Sequence, residues 1–236
     1  MLNFAPNLLK DRRFLVTGAT GGAGRATAML LADCGGLVTC LGRDPERTEK
    51  VRRELSGGGH STVQEGLYHG VFHAAGHEHI APTALLNTDA FASVFEPSVV
   101  MAFELARDIG ARKSIMRDGG AFVMMSSVAA VCGSPGMTIY SASKGAIEGL
   151  MRSAAVEWAG RRVRCNVIRA GAFASPMHSR IAARATPDSL DDYARRHPLG
   201  FGHAEDIAHM AVYLLSDMGK WITGASITVD GGYSAK

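Results

Sequence analysis

Nowhere in the 236 residues does an apolar run reach the ~18 residues of a membrane span, so no membrane partner is expected. The first residues, Met1-Leu2-Asn3-Phe4-Ala5-Pro6, lack the basic start and long apolar stretch of a signal peptide, and the expected location is the cytoplasm. Cysteine is scarce. Cys34, Cys40, Cys132 and Cys165 have neither metal-like nor disulfide-like spacing, which points to reduced, mostly buried thiols. No block of like charge occurs: the formal charge is only +3 and the basic residues are scattered, so no nucleic-acid partner is expected. There is no internal repeat, linker or low-complexity tail, and residues 1–236 read as one domain. What is present, 47% hydrophobic and 20% charged residues, suits a globular chain with a sizeable core.

The pattern alternates strands with helices, which predicts a single-domain, Rossmann-like α/β fold with a doubly wound parallel sheet. Arg13 to Val16 is a short apolar run ending at Thr17-Gly18, and Gly18, Gly21, Gly22 and Gly24 precede the helical stretch Ala26 to Ala32. A strand, a glycine-rich turn and a helix form the unit that cradles a pyrophosphate, because glycine lets the backbone approach and the helix N-terminus supplies N–H donors. The second strand, Leu37 to Leu41, ends at Gly42-Arg43. An acidic residue at this strand end binds ribose hydroxyls, whereas an arginine suits a 2′-phosphate. Arg43 therefore favours NADP(H) over NAD(H).

Ser61 to Gln64 is a candidate third strand and Val71 to Gly76 a stronger one, with only Glu65 to Gly70 between them. Parallel strands need a crossover of a dozen or more residues. Six residues at ~3.3 Å each span about 20 Å, too little to return and cross. The third strand is therefore expected to be missing, or that edge of the sheet shortened and irregular between the second and fourth strands, leaving the adenine side of a cofactor cleft open.

Ser127, Tyr140 and Lys144 carry the chemistry. Tyr140 and Lys144 stand four apart, so on a helix they share a face about 5–6 Å apart. An ammonium there is expected to lower the tyrosine pKa from ~10, readying the phenol to trade a proton with a carbonyl or alcohol. Ser127, thirteen residues earlier at the C-terminal end of the strand Ala121 to Met125, is placed to hydrogen-bond the substrate oxygen. The helix bearing the pair is expected from about 138 to 159. A long helix, Asp89 to Ala106, is expected to bend at Pro97. His73, His77 and His79 lack an accompanying carboxylate or cysteine pattern. No metal is expected there, and His73 or His77 is expected to line a cleft. Residues 177–203 are polar and fit either a mobile lid over a substrate cleft or a solvated helix pair.

Over nearly its whole length the chain resembles the short-chain dehydrogenase/reductase family. Thr17-Gly18-x-x-x-Gly22-x-Gly24 resembles its cofactor signature, and His73-Ala74-Ala75-Gly76 resembles its Asn-Asn-Ala-Gly segment. Ser127, Tyr140 and Lys144 match its catalytic serine, tyrosine and lysine, while Ile222-Thr223-Gly224 and Val229-Asp230-Gly231-Gly232 match its C-terminal motif. Within the family the likeness is to 3-oxoacyl-[acyl-carrier-protein] reductases. The resemblance implies an NADPH-dependent reduction of a ketone, with Tyr140 protonating the carbonyl oxygen, Ser127 orienting it and Lys144 holding the nicotinamide ribose. Gly18, Thr20, Gly21, Gly22 and Ala23 would line the pyrophosphate, and Arg43 would meet the 2′-phosphate. Ala74, Ala75 and Gly76 would pack by the adenosine ribose. Gly171, Phe173 and Ser175 would flank the nicotinamide. The substrate would be a small carbonyl or alcohol, either free or carried on acyl carrier protein, and the assembly a homotetramer or homodimer.

Four positions depart from the family pattern. Ser98 stands where the family has a catalytic asparagine, Ala170-Gly171 replaces Pro-Gly, and Ser175 replaces a threonine. The shortened stretch before Val71 removes an adenine-contacting aspartate, for which Glu65 is a candidate substitute. Two rival readings follow: a reductase or dehydrogenase of a sugar-derived or other secondary alcohol, and a catalytically impaired homologue that binds nucleotide.

Overall fold

Six parallel strands form the centre of the computed structural model, which describes residues 4–63, 66–183 and 187–235. The chain enters at the middle of the sheet with β1 (Arg13–Thr17) and passes through α1 (Gly22–Asp33) to β2 (Leu37–Leu41) on one side. After α2 (Pro45–Glu54) it returns to the other side of β1 as β3 (Tyr68–His73). It then builds outward through α3 (Thr88–Phe95), α4 (Met101–Gly110), β4 (Met116–Ser127), α5 (Thr138–Glu157) and β5 (Arg164–Ala170). Two short helices, α6 (Pro176–Ala182) and α7 (Pro187–Arg195), precede α8 (Ala204–Leu215) and the last strand, β6 (Ser226–Val229). The strand order is β2-β1-β3-β4-β5-β6. The order reverses between β1 and β3, and a ligand in such a sheet sits outside the strand carboxyl ends at that reversal.

Alternation along each strand sends side chains to opposite faces, and both faces are buried. Phe14, Val16, Phe72 and Val123 pack in one core with Leu31 of α1 and Val212 of α8. Their neighbours Leu15, Val71, Phe122 and Met124 pack in the other with Leu105 of α4 and Ile147 and Met151 of α5. This double burial is why the strands read as continuous apolar runs.

The expected gap at the sheet edge is present. Where a third strand would pair with β2, only Ser61 does so among the described residues: its N–H donates to the Val38 carbonyl (3.0 Å) and its carbonyl accepts from the Cys40 N–H (2.8 Å). From there to Tyr68 no helix occurs among the described residues. Glu65, the candidate adenine contact, lies outside the described residues, as does Gln64.

The long helix expected over 89–106 is broken. Residues Glu96–Val100 form a π-turn, in which the Met101 N–H reaches back to the Glu96 carbonyl. Pro97 has no N–H to give the α-helical ladder, and the extra residue is absorbed there. The turn carries Ser98 inward, to 0% exposure.

Candidate active site

Three elements converge at the carboxyl end of the sheet. Ser127 is the last residue of β4, in register with Ala170 at the end of β5. Its Oγ accepts the Ala129 N–H at 3.2 Å, which fixes the turn after the strand. Tyr140 and Lys144 occupy the first two turns of α5, both buried, with Lys144 only 4% exposed. The Lys144 Nζ donates to the Met125 carbonyl on β4 at 3.0 Å and lies 5.5 Å from the Tyr140 ring centre. The three residues predicted as a unit are therefore brought together.

Their electrostatics correct one expectation. Tyr140 is not tuned downward in this state: burial pushes its phenol up to about 12, partly opposed by a hydrogen bond with Ser127. The charges of Glu78 and Tyr193 act in the raising direction. Lys144 does not offset this, and burial lowers its own pKa to about 8. Desolvation of the charged form outweighs charge pairing in a site this enclosed.

The residues predicted to hold a dinucleotide also meet. Gly18 has φ +66°, and a Cβ there would lie 2.6 Å from the Ala75 N and 2.7 Å from the Ala74 carbonyl carbon. The β1 and β3 turns thus touch, backbone against backbone, at the reversal of strand order. A Cβ on Gly22 would sit 2.9 Å from the Ser175 Cβ and 3.3 Å from the Phe173 ring, placing the loop after β5 directly over the glycine turn. The N-cap of α1, Gly21, has no side-chain cap, and the first turn, which includes Ala23, has no acidic residue. The N–H groups and positive dipole end are left for an anion. A cavity of about 420 Å³ beside this turn is lined by Thr20, Gly21, Gly22, Arg25 and Pro176, though by none of Ser127, Tyr140 and Lys144.

At the end of β2, Arg43 is exposed. A Cβ on Gly42 would come within 2.5 Å of the Thr48 Oγ1, so a side chain at the position that would carry a ribose-binding acid would have to displace that hydroxyl. Asp44 is engaged as the N-cap of α2, accepting the Arg47 N–H at 3.0 Å. Gly171 is required by contact, since a Cβ there would lie 2.7 Å from the Asp230 Cα. The Ser175 hydroxyl accepts the His178 N–H (3.1 Å) at the start of α6. These residues fit a dinucleotide.

Two predicted positions behave differently from expectation. His73 does not line a cleft. It is 0% exposed, bonded between Thr17 and the Ser98 backbone, because the last β3 residue points into the core. The Ser98 hydroxyl is buried with no hydrogen-bond partner among the described residues. No three His, Cys, Asp or Glu side chains among the described residues are grouped to hold a metal ion. No helix among the described residues is long and apolar enough to cross a membrane.

Sequence reasoning missed two clusters. Glu148, 5% exposed, is one turn beyond Lys144 on the same face of α5. Its carboxylate accepts from Ser126 Oγ (2.9 Å), Arg169 Nε and Nη2 (3.0 and 2.7 Å) and Ser226 Oγ (3.2 Å). It therefore ties together α5, β4, β5 and β6 just behind the three converging residues. The i, i+4 spacing from Lys144 was its one visible signal. The second cluster is aromatic. Tyr193 stacks edge-on against His197 (5.0 Å) and Tyr233 (6.0 Å) and lies 5.7 Å from Phe201, which meets His178 at 4.7 Å. Four of these rings, His178, Tyr193, His197 and Phe201, lie in the polar stretch at 177–203.

Comparison with known proteins agrees with the geometry. The family model described as enoyl-(acyl carrier protein) reductase matches residues 60–234. An uncharacterised oxidoreductase of Mycobacterium tuberculosis is 30% identical, with 99% of this chain and 95% of the relative covered. The 3-oxoacyl-[acyl-carrier-protein] reductase of Thermotoga maritima is 27% identical, covering 95% of this chain and 98% of its own. A crystal structure from Agrobacterium tumefaciens with bound NADP, of a protein provisionally named a 2-deoxy-D-gluconate 3-dehydrogenase, superposes with a TM-score of 0.84. It is 26% identical and covers 99% of this chain and 100% of its own. The chain belongs to the short-chain dehydrogenase/reductase family and is an oxidoreductase.

Proposed function

We propose that the protein is an NADPH-dependent reductase that converts a ketone to a secondary alcohol, with a 3-oxoacyl thioester, free or on acyl carrier protein, as the leading substrate class. The convergence of Ser127, Tyr140 and Lys144 beside the glycine turn supports it most. When bound, the nicotinamide supplies the hydride. Ser127 donates a hydrogen bond that orients the substrate carbonyl. Tyr140, protonated at neutral pH, gives its proton to the carbonyl oxygen as the carbon is reduced. Lys144 holds the nicotinamide ribose and the polar end of the site. The 177–203 segment covers the substrate.

The cofactor cradle comprises Gly18, Thr20, Gly21, Gly22 and Ala23 for the pyrophosphate, Ala74, Ala75 and Gly76 for the ribose, and Gly171, Phe173 and Ser175 for the nicotinamide. Arg43, exposed beside Gly42 where no acid stands, supports NADP(H) over NAD(H). The likeness to the Thermotoga reductase supports the acyl reading. A second reading, a sugar-derived secondary alcohol, has support in the polar side chains of Glu78 and Tyr193 near Tyr140 and in the Agrobacterium neighbour. Exposed apolar residues on α3, α4 and α5 (Phe91, Phe103 and Val156) support a homotetramer or homodimer, working in the cytoplasm. NADPH consumption with 3-oxoacyl thioesters and with keto-sugars tests the proposal. Turnover of either by the unaltered protein, lost in Tyr140→Phe, supports it; turnover that survives Tyr140→Phe contradicts it.

A further inference from the structure

Ser98, one of the four departures from the family pattern, touches His73, the first residue of the segment that resembles Asn-Asn-Ala-Gly. His73 stands where the family's segment begins with asparagine, and Ser98 stands where the family has its catalytic asparagine. His73 pairs in register with Thr17 across β1 and β3, and the Thr17 Oγ1 lies 2.8 Å from its Nδ1. On the other side its Nε2 lies 2.8 Å from the Ser98 carbonyl oxygen. A carbonyl only accepts, so Nε2 carries the proton and Nδ1 accepts from the Thr17 hydroxyl. Burial, with Lys144 as the facing charge, holds the ring neutral in this tautomer.

That bond fixes the π-turn. Ser98 is 0% exposed, and its hydroxyl lacks a partner among the described residues. It is aimed at a defined place: a Cβ built on Gly76 would lie 3.3 Å from the Ser98 Oγ and 3.5 Å from the Lys144 Nζ. The hydroxyl and the ammonium face the same small space above Gly76. An unpaired buried hydroxyl is costly, and its persistence beside a catalytic lysine calls for a use. Serine alone is too short to set its own position. An imidazole at residue 73 reaches the 98 backbone, where a shorter amide at 73 ends sooner.

We infer that His73 is a positioning residue for the reaction: by gripping the Ser98 carbonyl it sets the π-turn so that the Ser98 hydroxyl faces Lys144, and the two residues act on Lys144 as one unit. This inference rests on the proposed reductase reading, and its test separates the two. The probes are Ser98→Ala, His73→Asn, His73→Gln and the His73→Asn/Ser98→Ala double variant. Two properties are read: kcat for NADPH-dependent reduction, and the titration of Lys144 in the cofactor-free protein, followed by the NMR shift of its Cε. Glutamine places an amide donor where Nε2 was; asparagine does not.

Ser98→Ala and His73→Asn should each lower kcat by about 10- to 100-fold, the scale of a small misplacement, while NADPH affinity stays within about twofold. Each should move the Lys144 titration in the same direction. The double variant should fall no further than either single one, because coupled residues lose their effect together. His73→Gln should recover kcat to within about threefold of the unaltered protein. Additive losses, a His73→Asn defect confined to unfolding temperature, or an unmoved Lys144 titration in the singles would overturn the inference. If the unaltered protein shows no turnover, the reductase reading fails, and the Lys144 titration of the same variants alone then decides whether the His73–Ser98 unit exists.

Discussion

At the scale of single residues, burial governs the chemistry more than the neighbouring charge does. Tyr140 is four residues from Lys144, yet its pKa stands near 12 because both side chains are enclosed. Its phenol carries the proton that a reduction consumes, although burial makes it a weaker acid than a free tyrosine. Tyr140→Phe removes the proton donor and should cost about 10²- to 10⁴-fold in kcat, with NADPH affinity retained, as measured by single-turnover kinetics and titration. Lys144 sets the alkaline side. Its pKa is depressed to about 8, so its ammonium is intact below that pH and lost as pH rises through it. The kcat for reduction should therefore fall above about pH 8, and Lys144→Arg, which stays charged, should carry residual activity without that limb. The spacing of Ser127, Tyr140 and Lys144 was legible because it is local. The direction of the Tyr140 shift was not, because the burial that sets it comes from residues far apart in sequence.

At the scale of elements, α5 is held by a polar hub as well as by its apolar face. The buried Glu148–Arg169 pair, 2.7 Å apart, joins α5 to β5, and Ser126 and Ser226 bring in β4 and β6. Breaking such a pair from one side leaves an uncompensated charge. Arg169→Leu should cost about 3 kcal/mol in urea unfolding, and Glu148→Gln, whose amide nitrogen cannot accept as the carboxylate oxygen does, should destabilise as well. The loop after β5 is equally constrained. Gly171→Ala should destabilise by about 1–3 kcal/mol in the same measurement, since its Cβ would meet the Asp230 backbone at 2.7 Å. Strands and helices with strong apolar patterning, such as β1, β2 and α8, were readable from the chain alone. The break of the α3–α4 helix at Pro97 was anticipated only as a bend, because a proline shows where the ladder fails and not whether an extra residue enters it. The contact between His73 and Ser98 spans 25 residues and depends on that turn, so no local pattern discloses it.

At the scale of the molecule, the sheet reverses order between β1 and β3, and the two turns at that reversal close on each other at Gly18 and Ala75. The short passage from Ser61 to Tyr68 was legible from chain length alone, because six intervening residues cannot make a helical crossover. Among the described residues that sheet edge carries one bridging residue, Ser61, so the proposed cofactor cleft rests on the pyrophosphate turn and on Arg43. The most direct measurement is a titration of the protein and its Arg43→Ala variant with NADPH and NADH, followed by nicotinamide fluorescence. The account predicts tighter binding of NADPH than of NADH, with Arg43→Ala weakening NADPH by about tenfold or more and leaving NADH unchanged. Equal or tighter NADH binding, or no binding of either dinucleotide, would contradict it.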